Sequence, residues 1–357
     1  MAKTADFVDI ESVSFAEAPF VDWLERDLKT LPHLEVTRIG DNLVARTSWG
    51  FPQRLVLAGH TDTVPVNDNG TARIDGDTLY GVGSADMKGG LAVFHEIAHL
   101  VRPESDHEPT VDLSFVFYAR EEVALEHSGL SELIEAHPDL LAGDCVILGE
   151  PTDGHVEAGC QGTMRVRVHF LGKRAHTARP WMGSNAIHRA APLLAALADH
   201  KPREPVIDGC HFIESIQAVR LEGGHAGNVV PDSAVVTIHH RYAPDQTDAE
   251  AEAAFLKWIG ANIDPDRGDT IEVIDRAPCC PPSLDHPLLA ALAAAGRQKS
   301  AKLGWTDVAR FAQLGIPATN FGPGDPTVAH TQNEHLHRNS IERTYAALIE
   351  LVTTPVA

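Results

Sequence analysis

The sequence predicts an α/β protein with a mixed, mainly parallel sheet, helices on both of its faces, and an inserted α+β domain. A chain of 357 residues is long for one hydrophobic core, so two domains are expected. Short apolar runs in the first half, such as 55–58, are typical of strands buried on both faces of a parallel sheet. From about residue 164 apolar and polar residues alternate, which indicates a sheet with one wet face. The predicted domains are therefore residues 1–163 with 277–357, and residues 164–276.

The first domain alternates helices and strands. Residues 15–30 carry an imperfect helical stripe of apolar side chains, and residues 34–39 and 43–47 are expected to pair as strands across a Gly-Asp-Asn turn. Its other predicted elements are strands at 55–58, 111–118 and 145–148 and a helix at 91–101.

The inserted domain is predicted to be a sheet with helices. Ser184 is expected to cap a helix whose apolar stripe includes Ile187, Leu194 and Leu197. The other predicted elements are strands at 164–170, 213–221, 234–242 and 271–274 and a helix at 247–259. After a proline-rich turn, helix and strand alternate again up to a last helix at 341–352.

Composition and charge restrict the function. A hydrophobic content of 43% with 22% charged residues is that of a globular protein. The net charge of -21 argues against nucleic acid and anionic membranes as partners, and an anionic substrate would need locally placed arginines. Five scattered cysteines without Cys-x-x-Cys spacing favour a reducing cytoplasm, and neither a signal peptide nor a membrane span is expected.

Acidic and imidazole side chains recur just after the predicted strands. They are His60, Asp62, Asp86, Glu121, Glu122 and Glu150, joined late in the chain by His330. Ligands bind beyond the carboxyl ends of strands in open α/β sheets, and this donor set suits zinc, with carboxylates able to bridge two ions. A glutamate that is not a ligand could take a proton from water. Each residue alone could equally be a turn or surface residue, so the prediction rests on their joint occurrence.

Several motifs together carry a family resemblance. They are Gly-His-Thr-Asp-Thr-Val-Pro at 59–65, Gly-Ser-Ala-Asp-Met-Lys-Gly at 83–89, Glu121-Glu122, Gly-Glu-Pro-Thr at 149–152, Gly-Lys-Arg-Ala-His at 172–176, and the residues around His330. Over nearly its whole length the chain resembles the M20 family of di-zinc metallohydrolases. Within that family it is most similar to the actinobacterial branch that cleaves N-succinyl-LL-2,6-diaminopimelate.

The resemblance implies a role for each candidate. The implied ligands are Asp86 as the bridge between two Zn²⁺ ions, His60 and Glu150 on one ion, and Glu122 and His330 on the other. Asp62 would orient His60, and Glu121 would be the general base and acid. Two Zn²⁺ per subunit are implied, with Co²⁺ as an alternative ion in one site. In the tail, the family pattern His-x-x-Asn-Glu selects His330 over His335 and His337, which are expected at the surface.

The resemblance also assigns substrate contacts to the inserted unit. His176 and Asn228 match family positions that reach the substrate from the partner subunit, which implies a homodimer and makes residues 164–276 a lid/dimerisation domain. Arg241 resembles a family arginine that grips a substrate carboxylate, although it could also be a solvated charge on the wet face.

One motif departs from the family pattern. Cys160 and Gln161 stand where many desuccinylases carry arginines. The arginines that bind the substrate carboxylate in many desuccinylases are therefore absent at these positions, and Arg174 and Arg179 are candidates to replace them.

A competing zinc motif lies in the helix at 91–101. His95 and His99 fit His-Glu-x-x-His, the zinc helix of single-metal proteases, but with 20 histidines in the chain a chance match is plausible. Because both fall on the polar side of the helix, we expect them to be exposed rather than to bind metal.

The sequence thus predicts a cytoplasmic hydrolase that releases succinate from a small dicarboxylate amide, in lysine and peptidoglycan-precursor synthesis. The alternatives are a related deacylase, such as an acetylornithine deacetylase or an aminoacylase, and a metal-binding dimer without catalysis. The intact pair of Glu121 and Glu122 speaks against the last, because a binding protein needs no free base.

Overall fold

The computed structural model describes residues 1–294 and 297–356. The chain forms two compact units. The first comprises Met1–Ala158, Ser283–Ser300 and Arg310–Ala357, and the second Gly159–Pro282 and Ala301–Ala309. No helix in the described part of the chain combines the length and apolar character needed to span a bilayer.

Strands and helices are numbered in chain order. The strands are β1 (Glu35–Ile39), β2 (Asn42–Arg46), β3 (Arg54–His60), β4 (Arg73–Asp75), β5 (Thr78–Tyr80), β6 (Asp112–Tyr118), β7 (Cys145–Leu148), β8 (Val156–Ala158), β9 (Gly162–Leu171), β10 (Val206–Ile207), β11 (Cys210–His211), β12 (Ser215–Gly223), β13 (Ser233–Tyr242), β14 (Thr270–Ala277), β15 (Lys299–Ala301), β16 (Ala318–Asn320) and β17 (His335–His337). The helices are α1 (Ala2–Val8), α2 (Ala18–Leu28), α3 (Gly89–Leu100), α4 (Gly129–Ala136), α5 (Ala186–Arg189), α6 (Ala191–Ala198), α7 (Asp248–Gly260), α8 (Pro287–Ala294), α9 (Val308–Gln313) and α10 (Arg338–Thr353).

An eight-stranded sheet is the centre of the first unit. Its strand order is β1-β2-β6-β3-β7-β16-β8-β15. The neighbouring strands β6, β3, β7 and β16 run parallel, whereas β1, β2 and β8 pair antiparallel toward the margins. The chain is therefore a mixed α/β protein with a mainly parallel central sheet, as predicted from the apolar runs.

Burial explains why these runs form strands. Every residue of β6 and all but the first of β3 are buried, as strands covered on both faces should be. Leu24 of α2, Phe94 of α3 and Leu348 of α10 pack into the same core. Fully burying one such side chain stabilises the fold by about 1.5–3 kcal/mol.

The second unit has its own antiparallel sheet, in the order β12-β13-β9-β14. Buried and more exposed residues alternate along β9, and Val166 and Val168 lie in a core with Phe255 of α7. The predicted cap of the first helix is wrong by one residue, because the Asn185 side chain rather than Ser184 accepts the free N–H groups of α5.

Two other local predictions fail. The helix predicted at 15–30 begins only at Ala18, and Phe15 is 61% exposed with a φ of 73°, a left-handed conformation incompatible with a helix. The short hairpin of β4 and β5 lies where the sequence predicts no strand, and it pairs with β17 from the far end of the chain.

Candidate metal centre

Sheet register brings the predicted site residues of the first unit to one edge. His60 ends β3 opposite Tyr118, the last residue of β6, and Glu121 and Glu122 follow Tyr118 by three and four residues. On the other side of β3, Ala58 pairs with Leu148, so Glu150 follows near the level of His60. Since these strands are parallel, their carboxyl ends share an edge, as the sequence predicts.

Asp86 lies between two imidazoles. Its Oδ1 is 3.1 Å from His60 Nε2, and its Oδ2 is 3.3 Å from His330 Nε2. The Oε1 atom of Glu122 is 2.8 Å from the same nitrogen of His330. Ligand atoms of His60, Asp86 and Glu122 all lie within 4.8 Å of one another. One carboxylate whose two oxygens face different imidazoles is the arrangement of a bridging ligand, so these residues fit a pair of divalent ions.

Glycines allow the Asp86 turn to approach the sheet. Asp86 lies in the turn Ser84–Lys88, and Gly89 and Gly90 begin α3 directly after it. A Cβ atom on Gly90 would lie 2.3 Å from the carbonyl oxygen of Gly149, at the end of β7. No larger residue fits at position 90, which gives the Gly-Gly of the motif a packing reason.

His330 is held in an uncommon backbone conformation. Its φ is 63°, which costs a residue with a Cβ atom about 1–3 kcal/mol. In this conformation its ring reaches both Asp86 and Glu122. The neighbouring histidines point elsewhere: His335 Nδ1 contacts the carbonyl of Asn333, and the exposed His337 contacts Thr78.

Asp62 contacts three parts of the site. His60 Nδ1 is 3.5 Å from Asp62 Oδ1 and 3.0 Å from its backbone oxygen. The backbone N–H of Glu121 donates to Oδ1 (3.0 Å), and that of Glu122 donates to Oδ2 (3.2 Å). Asp62 thus orients the His60 imidazole and also fixes the backbone of the Glu121-Glu122 pair, a contact that spacing alone does not reveal.

Two further residues support the site and were not singled out from the sequence. Ser14 Oγ donates to Asp62 Oδ2 at 2.7 Å. Glu334 Oε1 accepts the backbone N–H groups of Ala85 (3.0 Å) and Asp86 (3.1 Å). Glu334 ends the His-x-x-Asn-Glu pattern, which was a signal for its importance, whereas no sequence feature marks Ser14.

The electrostatic environment of the cluster favours the binding of a cation. Hydrogen bonds to Asp86 and then Glu122 raise the pKa of His330 to about 10. Burial opposes ionisation of Asp86, but hydrogen bonds from His330 and His60 outweigh it and hold its pKa below the usual range. Burial raises the pKa of Glu334 to about 7. An excess of carboxylate over cationic groups is what a cation site requires.

The remaining predicted site residues lie in the second unit. His176 and Asn228 are neighbours there: His176 forms a β-bridge with Val229, and the Thr177 N–H donates to the Asn228 carbonyl at 3.1 Å. Arg241 lies on β13, where burial lowers the pKa of its guanidinium and its Nη1 atom is buried without a hydrogen-bond partner among the described residues.

The departure from the family pattern has a structural explanation. Cys160 is buried, and Gln161 Nε2 donates to the backbone oxygen of Ile213 at 2.7 Å, so this position has become part of the core. Of the two arginines considered as replacements, Arg174 is paired with Asp232 at 2.6 Å, whereas Arg179 is exposed.

The expectation of an exposed His95 is wrong. His95 is only 2% exposed, and its Nε2 lies 2.6 Å from Asp27 Oδ2. His99 Nε2 lies 2.6 Å from the same oxygen, and its side chain is 31% exposed. The polar side of α3 at His95 and His99 therefore faces α2, where Asp27 is the partner of both imidazoles.

Comparison with known proteins gives consistent matches. Residues 56–354 match the family model described as Peptidase family M20/M25/M40. A putative succinyl-diaminopimelate desuccinylase of Mycobacterium tuberculosis is 46% identical over 336 residues, covering 93% of this chain and 92% of that protein. A succinyl-diaminopimelate desuccinylase of Corynebacterium glutamicum is 42% identical over 338 residues, covering 93% and 90%.

Solved structures share the fold. A tripeptidase from Staphylococcus aureus superposes with a TM-score of 0.81 at 21% identity, covering 99% of this chain and 96% of that one. A dinuclear metal binding peptidase of the M20 family from Bacillus subtilis superposes with a TM-score of 0.70 at 17% identity, covering 98% and 95%. At these identities the likeness concerns architecture alone.

Proposed function

Because the chain belongs to peptidase family M20/M25/M40, we propose that it hydrolyses N-succinyl-LL-2,6-diaminopimelate to succinate and LL-2,6-diaminopimelate. Relatives at 46% and 42% identity over 93% of the chain carry the desuccinylase name. The reaction belongs to lysine and peptidoglycan-precursor synthesis.

The bridging geometry of Asp86 is the observation that carries the proposal. Its two oxygens face His60 and His330, and Glu122 completes the cluster. We assign one Zn²⁺ to His60, Asp86 and Glu150 and a second to Asp86, Glu122 and His330, with Co²⁺ as an alternative ion in one site. The ions, when bound, supply Lewis acidity that polarises the amide carbonyl and acidifies water.

Glu121 then acts as the proton carrier. Its backbone N–H is fixed by Asp62, and it directly precedes the ligand Glu122. Glu121 takes one proton from the attacking water, whose oxygen bonds to the amide carbon. The same proton passes to the amine nitrogen as the C–N bond breaks, which leaves succinate and the free amine. Asp62 keeps the His60 ring oriented throughout.

The substrate contacts are assigned to the second unit. We propose that His176 and Asn228 donate to the developing oxyanion and that Arg241 binds a substrate carboxylate. The buried Nη1 atom of Arg241, which lacks a hydrogen-bond partner among the described residues, supports this role. A buried guanidinium donor needs an acceptor, and a carboxylate provides one.

A homodimer would cover the exposed edge strand of the second unit. In β12 the residues from Gln217 to Gly223 are exposed, including Val219 (55%) and Leu221 (47%). A long edge strand with exposed apolar side chains favours pairing with a second copy of itself. We propose this edge as the dimer contact. The cytoplasmic location stays a prediction from the five free cysteines.

A substrate comparison tests the proposal. Purified zinc-loaded protein is assayed for amine release from N-succinyl-LL-2,6-diaminopimelate and from N-acetylornithine. We expect kcat/KM to be far larger for the succinyl compound. A preference for N-acetylornithine would support the related deacylase, and zinc binding without turnover of either would support a non-catalytic metal protein.

A further inference from the structure

We propose that Asp27, His95 and His99 form a second metal site in the first unit, for a late first-row divalent ion such as Zn²⁺. This goes beyond the proposed hydrolase function and does not depend on it. The site joins α2, which carries Asp27, to α3, which carries both histidines. It is separate in ligands from the cluster of His60 and Asp86 at the strand ends.

The three donors converge on one point. His95 and His99 are four residues apart on α3, so their rings lie on one face, with centroids 4.5 Å apart. Each Nε2 atom lies 2.6 Å from Asp27 Oδ2. Two imidazole nitrogens and a carboxylate oxygen are a zinc donor set, and imidazoles four residues apart on a helix are a recurrent zinc-binding arrangement.

The cluster combines one fixed ligand with two adjustable ones. His95 is 2% exposed and packs between Phe7 and Trp23, with ring centroids 5.5 and 5.4 Å away. The Asp27 and His99 side chains are 29% and 31% exposed. Tetrahedral zinc needs about 3.3 Å between adjacent nitrogen and oxygen ligands. The present contacts of 2.6 Å are shorter than this distance. Asp27 and His99 can move apart to reach it because both are accessible from solvent, and a water molecule would complete the coordination.

The protonation state suits metal binding. Burial lowers the pKa of His95 to about 4, so the ring is neutral at physiological pH, as a metal ligand must be. The nearby cation Lys3 contributes to this shift, and the cluster contains a single carboxylate. The strand-end cluster holds several carboxylates. We therefore expect the Asp27 site to bind its ion more weakly and to fill last.

Metal stoichiometry tests the proposal. The full-length protein is stripped with a chelator, dialysed and titrated with Zn²⁺ or Co²⁺ alone, and bound metal is counted per chain. Wild type should bind about three ions, and Asp27→Asn and His99→Asn about two. Both variants change partly exposed side chains and neither adds volume, so they should fold, and their hydrolase activity should remain.

His33→Gln is the matched control. His33 contacts the same helix through the carbonyl of Ala98 (2.9 Å) and is not part of the donor group of Asp27, His95 and His99, so the variant should keep the wild-type stoichiometry. Equal stoichiometry in wild type, Asp27→Asn and His99→Asn would overturn the proposal and leave a histidine–carboxylate hydrogen-bond cluster. If His33→Gln lost as many bound ions as the Asp27 and His99 variants, the proposal would also be overturned, because the extra ion would then bind to surface histidines in general.

Thermal unfolding gives a second readout that is independent of activity. An ion that bridges α2 and α3 in the folded state should raise Tm by about 3 °C at a tenfold excess over its Kd, after the tighter sites are filled. His99→Asn should lose this last increment. The same increment in His99→Asn as in wild type would contradict a site on these helices.

Discussion

Asp62 links the ligands of the proposed centre to its base. One carboxylate oxygen faces His60 and accepts the Glu121 N–H, and the other accepts the Glu122 N–H and the Ser14 hydroxyl. The residue is fully buried, which disfavours its charge. Hydrogen bonding and Coulomb attraction from His60 nevertheless keep its pKa below the usual value. A single anion therefore contacts the proposed imidazole ligand, the proposed carboxylate ligand and the proposed general base.

Glu121→Gln should remove the base and leave the ligands. We expect kcat to fall by about 10² to 10⁴ while metal content stays near that of wild type, because Gln keeps the size and the backbone contact with Asp62. Steady-state kinetics and metal analysis on the same samples check this. Glu122→Gln is the matched control and should lose metal. The opposite pattern, metal loss in the first variant and near-normal turnover, would mean that the two roles are reversed.

Arg241→Lys should weaken substrate binding. Lysine keeps the charge but loses the planar fork that binds a carboxylate through two hydrogen bonds, so we expect KM to rise about tenfold with a smaller change in kcat. Arg220→Lys is the control, because Arg220 is exposed and paired with Glu222. An unchanged KM in the Arg241 variant would place the carboxylate contact elsewhere.

Among the strands and helices, those that produce a local pattern in the sequence could be predicted. The strands β3, β6 and β7 were predicted because their buried residues are consecutive and apolar. The β4–β5 hairpin could not be predicted, since its partner strand β17 lies about 260 residues away. The seven-residue helix α1 buries only three side chains and leaves a weak signal.

The same reasoning applies to the candidate site. Strand-end positions were enough to bring His60 and Glu122 to one edge, because parallel strands share an edge, whereas Asp86 and His330 lie in turns and were singled out by the family motifs. The burial of His95 could not be predicted, because it depends on Asp27, which approaches α3 from another helix. A stripe pattern tells which residues share a face, but not what covers that face.

The start of α3 also predicts a pH dependence of stability. Lys88 is 1% exposed, and its Nζ donates to the Ile10 carbonyl at 2.7 Å. Burial lowers its pKa from 10.5 to about 7. Between these values the unfolded chain holds a proton on Lys88 that the folded chain lacks, so the free energy of unfolding rises with pH, by up to about 1.4 kcal/mol per unit.

Lys88→Met should remove this rise. Urea unfolding of the chelated protein at several pH values between 7 and 10 measures it, and the slope should be shallower in the variant than in wild type. Lys29→Met is the control, because Lys29 is exposed and paired with Glu25. Equal slopes in Lys88→Met and wild type would show that the buried lysine stays charged across this range.

At the scale of the whole molecule, charge and symmetry set requirements on the mechanism. A chain with a net charge of -21 repels a dicarboxylate substrate at long range, so attraction must come from local cations. Most arginines in the described part of the second unit are ion-paired, as Arg174 is with Asp232, and Arg241 and Arg179 stay the candidates. The exposed edge at β12 is the surface proposed for a symmetric contact.

Mixing two inactive variants tests whether His176 acts across the dimer. Glu121→Ala and His176→Ala are combined under conditions that exchange subunits. If His176 serves the partner's site, one of the two sites in each mixed dimer is intact. Random exchange makes half of the dimers mixed, so activity should return to about a quarter of wild type. With exchange verified independently, no recovery would place His176 in its own subunit's site or outside catalysis.

The strand-end cluster is proposed to hold the metal for hydrolysis of a succinyl amide, so removing and restoring the metal should remove and restore activity. Succinate release from N-succinyl-LL-2,6-diaminopimelate is followed for the purified protein as isolated, after chelation, and after zinc is restored. We predict turnover that chelation abolishes and that zinc restores, in proportion to ions bound at the tight sites. Succinate release that persists in the fully chelated protein, or its absence at full zinc occupancy, would contradict the account.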